Sequence, residues 1–155
     1  MPLTMLNEEK HMPKINSRNK GANGEREAGR WLQEQFKLEK TPRRNLEQVR
    51  SGGHDLEGFQ PFCIEVKRSE TIDKRSWWLQ VTHSLTDEYF VPVVMYRQNG
   101  RKWKFLISGK HIGIKNGFMQ LEEREFKLWV PTIQNRLERV KALKKPESPI
   151  LQLHS

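Results

Sequence analysis

Gly53-His54-Asp55-Leu56-Glu57, a turn through Gly58 to Pro61, and then Phe62-Cys63-Ile64-Glu65-Val66-Lys67 make up the stretch whose reading decides the fold. In an extended strand alternate side chains share a face, so Phe62, Ile64 and Val66 form an apolar row for a core while Cys63, Glu65 and Lys67 point the other way. If Asp55-Leu56-Glu57 folds back on that strand in a hairpin centred on Gln60, Asp55 lies directly across from Glu65. Two carboxylates then meet on one surface.

Like charges facing each other across strands destabilise a sheet unless a cation or a shared proton neutralises them. A divalent metal is the simplest answer, and oxygen-only donors suit a hard ion such as Mg²⁺ or Mn²⁺. Lys67, two residues past Glu65, places an ammonium on the same face, beside an attacking water or a phosphate. A lone Glu-x-Lys is common on solvated surfaces, so the context has to carry the reading. Upstream, Asn19 to Phe36 reads as a helix in which Ala28, Gly29, Leu32 and Phe36 form a stripe with Trp31 at its margin. Glu25 falls near the centre of that stripe, in the expected first turn, and Glu27 falls on the far side, in water. Glu25 is therefore a third candidate acidic ligand.

The order Lys20-Gly21-Ala22-x-x-Glu25-Arg26-Glu27 on a helix, then Asp55-Leu56, then Cys63-Ile64-Glu65-Val66-Lys67 resembles the PD-(D/E)xK nuclease superfamily, most closely its archaeal-type Holliday junction resolvases. The resemblance spans about Arg18 to Ile107, and similar proteins occur in viruses and prophages. It implies an α/β, restriction-endonuclease-like fold, a central mixed sheet flanked by helices. It also implies a metal-dependent DNA endonuclease that hydrolyses phosphodiesters in branched DNA, with one or two Mg²⁺ (or Mn²⁺) ions per active site and a two-fold homodimer. By that likeness Glu25 matches the helix carboxylate, Asp55 the central aspartate, Glu65 the second metal ligand and Lys67 the motif lysine, with the Val66 carbonyl as a further ligand. Gln80 loosely resembles a polar residue that holds water or phosphate in some branches. The sequence departs from the pattern at His54, where the superfamily name implies Pro, and in a longer, more polar connection from Lys40 to Gly53.

The chain has 155 residues, the size of one domain, and 28 Lys and Arg against 19 Asp and Glu give a formal net charge of +9. That balance points to a polyanionic partner, with nucleic acid first among them. Lys20, Arg26, Arg43, Arg44, Arg50 and Arg68 are the cations placed to grip phosphates near the proposed centre. Cys63 is the single cysteine, so no intramolecular disulfide or cysteine-based zinc cluster is expected, in keeping with a reducing cytosol. The five histidines lack ligand spacing. Only His54 is near the centre, as a turn residue or a substrate contact. No apolar run approaches the roughly 18 residues a membrane span requires, so a soluble, cytoplasmic protein is expected.

Residues 1–18 read as a mobile leader, 19–145 as the nuclease domain and 146–155 as a flexible tail. A strand is expected around Asn45 to Val49 and a helix over Thr71 to Tyr89, with Trp78, Val81 and Leu85 on one side and Trp77 and Gln80 beside them. One of the two tryptophans is expected in the core. Phe90 to Arg97 and Trp103 to Ile107 form a hairpin about Asn99-Gly100. Gly109 to Gly117 reads as a loop, Phe118 to Val130 as strand or helix, and Pro131 opens a last helix carrying Ile133, Leu137, Val140 and Lys144. Two other functions stay open: a general or restriction-type nuclease on linear or single-stranded DNA, and a DNA-binding protein on a scaffold that no longer cuts.

Overall fold

A computed structural model describes residues 17–45, 54–85, 87–114 and 116–144. The leader through residue 16, the expected strand beyond Asn45, Arg50 and the tail all lie outside them. The fold is α/β: one six-stranded mixed sheet whose strands are ordered as they occur in the chain, with helices on both faces. The strands are β1 (Arg43–Arg44), β2 (Leu56–Glu57), β3 (Phe62–Arg68), β4 (Val91–Arg97), β5 (Lys104–Ser108) and β6 (Phe118–Glu122). Only β3 and β4 pair in parallel, joined by the crossover helix α2 (Lys74–His83). All other neighbours are antiparallel.

The period-2 reading of β3 holds across the sheet. Phe62, Ile64 and Val66 align with Val91, Val93 and Met95 of β4, and these with Phe105 and Ile107 of β5, in one apolar layer. Helix α1 (Ser17–Phe36) covers that layer with Ala28 and Leu32, and α3 (Glu123–Lys144) covers it with Phe126, Val130 and Ile133. Phe105 and Phe126 stack at 3.9 Å between ring centroids, within reach for a favourable aromatic pair. The opposite face is closed by a smaller group, Val81 of α2 on Val94, Tyr96 and Leu106. Both Trp77 and Trp78, one of them expected in the core, are half-buried and pack on this group, against Tyr96 and Phe118.

Helix α1 starts at Ser17, inside the expected leader, and runs through three glycines. The packing explains two of them. A Cβ on Gly29 would lie 2.5 Å from the Pro42 carbonyl oxygen, and one on Gly24 3.0 Å from the Arg68 side chain. Close approach of α1 to its neighbours outweighs the helix cost of glycine, about 1 kcal/mol per residue. The helix ends with Lys37 in the left-handed region (φ 51°) and Leu38 N–H donating to the Gln33 carbonyl at 3.1 Å, a Schellman-type closure.

Two boundaries differ from expectation. A two-residue strand, Arg43–Arg44, precedes the hairpin, and the strand expected over Asn45 to Val49 lies outside the described residues beyond Asn45. Helix α2 is capped by Asp73, whose side chain accepts from Ser76 N–H at 3.2 Å, and ends at His83, so it is shorter than Thr71 to Tyr89. Pro131 does not open the last helix but sits inside it; Phe118 to Glu122 is strand and α3 begins at Glu123. Burial of Phe126 and Val130 before the proline and Ile133 after it keeps the axis continuous despite the lost backbone hydrogen bond.

Candidate active site

The hairpin has the register the sequence implied. Leu56 pairs with Ile64, which carries Asp55 to the position beside Glu65. Gly58 turns at φ 100°, and Asp55 N–H donates to the Ile64 carbonyl at 2.9 Å. The Asp55 side chain is fixed by Val66 N–H, which donates to Oδ2 at 2.7 Å, and its carbonyl accepts from Asn45 N–H at 2.7 Å. With 6 % of its surface exposed, Asp55 is the hub of the hairpin. Val66 therefore contributes its N–H to this arrangement, while its side chain joins the apolar layer.

Glu65 is 3 % exposed and faces α2. Gln80 Nε2 donates to its Oε1 at 2.8 Å, Lys67 Nζ lies 3.2 Å from the same oxygen, and Lys67 Nζ donates to Gln80 Oε1 at 2.8 Å. Gln80 thus closes a three-membered ring that fixes both a carboxylate and an amine. Burial, then the neighbouring charge of Asp55, pushes the Glu65 carboxyl up to about 7, with Lys67 pulling the other way.

Glu25 approaches from α1 and is 8 % exposed. It lies in the third turn of α1, which begins at Ser17, rather than in the first turn expected for it. Burial and the Asp55 charge raise its pKa, and Arg44 and Arg26 oppose them. Arg44 Nε stands 2.7 Å from Glu25 Oε2, yet this buried oxygen accepts no hydrogen bond among the described residues. The contact is one of charge, with the guanidinium out of line for a hydrogen bond.

Glu25, Asp55 and Glu65 are all buried oxygen donors, the donor type that hard divalent cations take, and Oε2 of Glu25 accepts no hydrogen bond among the described residues. Among the described residues no three acidic, histidine or cysteine side chains are drawn together into a ready-made metal cluster.

The proposed phosphate-gripping cations separate into two groups. Arg43 and Arg44 are exposed on β1 and, with Arg26, Arg30 and Lys40, line an open cleft of about 470 Å³ beside Glu25. Arg26 also donates to Asn23 Oδ1 at 3.2 Å, and Lys20 is half-buried on α1. Arg68 differs from expectation: alternation turns it to the α1 face, where its Nη1 donates to both Glu27 oxygens at 2.8 and 3.1 Å and its Nη2 donates to Asn99. It is committed to the fold. Glu27, expected in water, also accepts from Arg97 and so holds two guanidinium groups. His54 is half-buried next to Asp55 and makes no hydrogen bond or ion pair among the described residues.

Two roles escaped the sequence reading. Arg44 was legible as a basic side chain but not as the counter-charge to Glu25, since the chain positions differ by nineteen residues and only the packing of α1 on β1 brings them together. The Glu27 clamp depends on β4 lying beside β3, which no local pattern encodes. No family model, curated protein or solved structure matches the chain.

Proposed function

We propose that the chain is a metal-dependent DNA endonuclease that hydrolyses phosphodiesters in branched DNA, in the manner of a Holliday junction resolvase. The observation that carries this reading is the hairpin that sets Asp55 beside Glu65 with Lys67 held by Gln80, joined by a buried Glu25 from α1. Asp55 and Glu65 would hold the first Mg²⁺ or Mn²⁺ with the Val66 carbonyl, and Glu25 would complete that site or serve a second ion. When bound, the cation neutralises the charge that develops on the phosphate and acidifies a water.

The chain's own groups do the positioning. Gln80 restrains Lys67 Nζ, so the ammonium is presented in one place, where it donates to the attacking water or to a phosphate oxygen. Glu65, its carboxyl pushed up to about 7 by burial, would have to lose its proton to serve as a ligand, which would couple loading of the site to pH. Arg43, Arg44 and Lys40, rimming the cleft by Glu25, grip phosphates flanking the one to be cut. Lys20 and Arg26 extend that rim along α1. Symmetric incision of a four-way junction calls for two copies related by a two-fold axis, so the active form is a homodimer. No described helix is long and apolar enough to cross a membrane.

The deciding experiment is a substrate panel: a four-way junction, a flap, a linear duplex and a single strand of matched sequence, each with Mg²⁺ and with EDTA. Paired, symmetric nicks at the branch support resolution. Equal cutting of linear duplex transfers the site to a general or restriction-type nuclease. Binding without cutting in every arm leaves only a DNA-binding scaffold.

A further inference from the structure

The end of the sheet past Lys67 carries a second basic cavity that the catalytic reading does not use. Its volume is about 480 Å³, and Lys74, Tyr96, Arg97, Arg101, Lys102 and Lys104 are among its lining residues, with no Asp or Glu. Arg97 is paired with Glu27; Lys74, Arg101, Lys102 and Lys104 make no ion pair among the described residues. Four uncompensated cations around one concave surface create a focused positive potential, which raises the local concentration of anions. The cavity is also firmly built. Asn99 N–H donates to Glu70 Oε1 at 2.8 Å and Gln98 Nε2 to the Glu70 carbonyl at 3.0 Å, tying the β4–β5 turn to the segment after β3. Arg97 lies 4.6 Å over the Trp103 ring.

Its place relative to the catalytic amine is fixed by strand register. Lys67 pairs with Tyr96 and Tyr96 with Lys104, a row of three residues across adjacent strands on one face. With about 4.8 Å between strands, Lys104 stands about 10 Å from Lys67, backbone to backbone. Because a strand winds about its axis as it rises about 3.4 Å per nucleotide, that straight-line span reaches a phosphate about one or two nucleotides away.

We propose that this cavity holds the backbone of the same DNA on the side away from the Arg43–Arg44 cleft, binding phosphates about one or two nucleotides from the one placed at Lys67. The proposal rests on the nuclease reading for its direction along the DNA, and its test does not depend on cleavage. Duplex and four-way-junction binding are measured by fluorescence anisotropy in EDTA across a salt series, for wild type and for the triple variant Lys74→Ala/Arg101→Ala/Lys102→Ala. A control triple, Lys110→Ala/Arg139→Ala/Lys141→Ala, removes equal charge from exposed positions away from this end of the sheet.

The slope of log affinity against log salt counts the phosphates neutralised. The expected result is a slope shallower by about two to three in the cavity variant and unchanged to within about half in the control, with about tenfold or more weaker binding at 0.1 M salt. Far-ultraviolet circular dichroism checks that each variant is folded, and Arg101→Lys in place of Ala restores one unit of slope. Equal losses in both triples would reduce the effect to net charge and overturn the proposal, as would a wild-type slope in the cavity variant. Failure of the nuclease reading looks different: wild type would cut nothing with Mg²⁺ while the slope difference persisted.

Discussion

Two carboxylates sit in ionic clusters on opposite sides of the same strand region, and they are balanced in opposite ways. Glu27 serves two guanidinium groups, Arg68 and Arg97, so positive charge is in excess and each Glu27 oxygen is engaged. Glu65 has one amine and one amide as partners, with Asp55 and Glu25 adding negative charge nearby, and its carboxyl is driven up to about 7. The first cluster is complete as it stands and locks α1 to β3 and β4. The second is electrostatically unfinished, and a group that brings positive charge lowers its energy.

The sharpest way to break the contrast is to remove one carboxylate from each cluster. Asp55→Ala or Glu65→Ala should lower single-turnover cleavage of a four-way junction by about 10³-fold or more while binding in EDTA persists or tightens. Glu27→Ala should do the reverse. It leaves two half-buried guanidinium groups unpaired, so chemical denaturation should show a loss of about 2 kcal/mol in stability, with cleavage by the folded fraction reduced far less than in the first pair. If Glu27→Ala abolished cleavage and left stability untouched, the two clusters would have been assigned the wrong way round.

A finer test uses pH. Because the folded carboxyl of Glu65 lies near 7 and its ordinary value is 4.5, the native state keeps a proton that the unfolded chain releases between those values. Stability therefore falls as pH rises through that window, by at most about 3 kcal/mol from this group. Glu65→Gln, which cannot ionise, should be more stable than wild type at pH 8 by about 1 to 2 kcal/mol, and the gain should fade below pH 4.5. Thermal melts over pH 4 to 8 check it. The smallest effect is expected at Gln80→Ala, about a tenfold fall in cleavage rate with little change in melting temperature, since Lys67 keeps its charge and loses only its restraint.

The sequence was most informative where structure is local. Alternation along Phe62 to Lys67 assigned both faces of β3 correctly, and the Gln60-centred hairpin put Asp55 beside Glu65 because turn length and register determine each other. Helix ends were less legible. Glu25 was placed in the first turn of α1, whereas the helix runs from Ser17 through Gly21 and Gly24; Gly24 and Gly29 lie where Arg68 and Pro42 press against the helix, a tertiary requirement. Pro131 was read as a helix opener on propensity alone, and burial on both sides of it prevailed. Arg68 was read as one of the cations near the proposed centre, and period-2 alternation turns it to the α1 face, where it pairs with Glu27.

The rim strand β1 has only two residues, both exposed arginines. So short a border offers few free amides, and its two like charges would repel an identical rim approaching alongside. If Arg43 and Arg44 grip a polyanion as proposed, the same side chains also discourage stacking of copies along β1 into a continuous sheet.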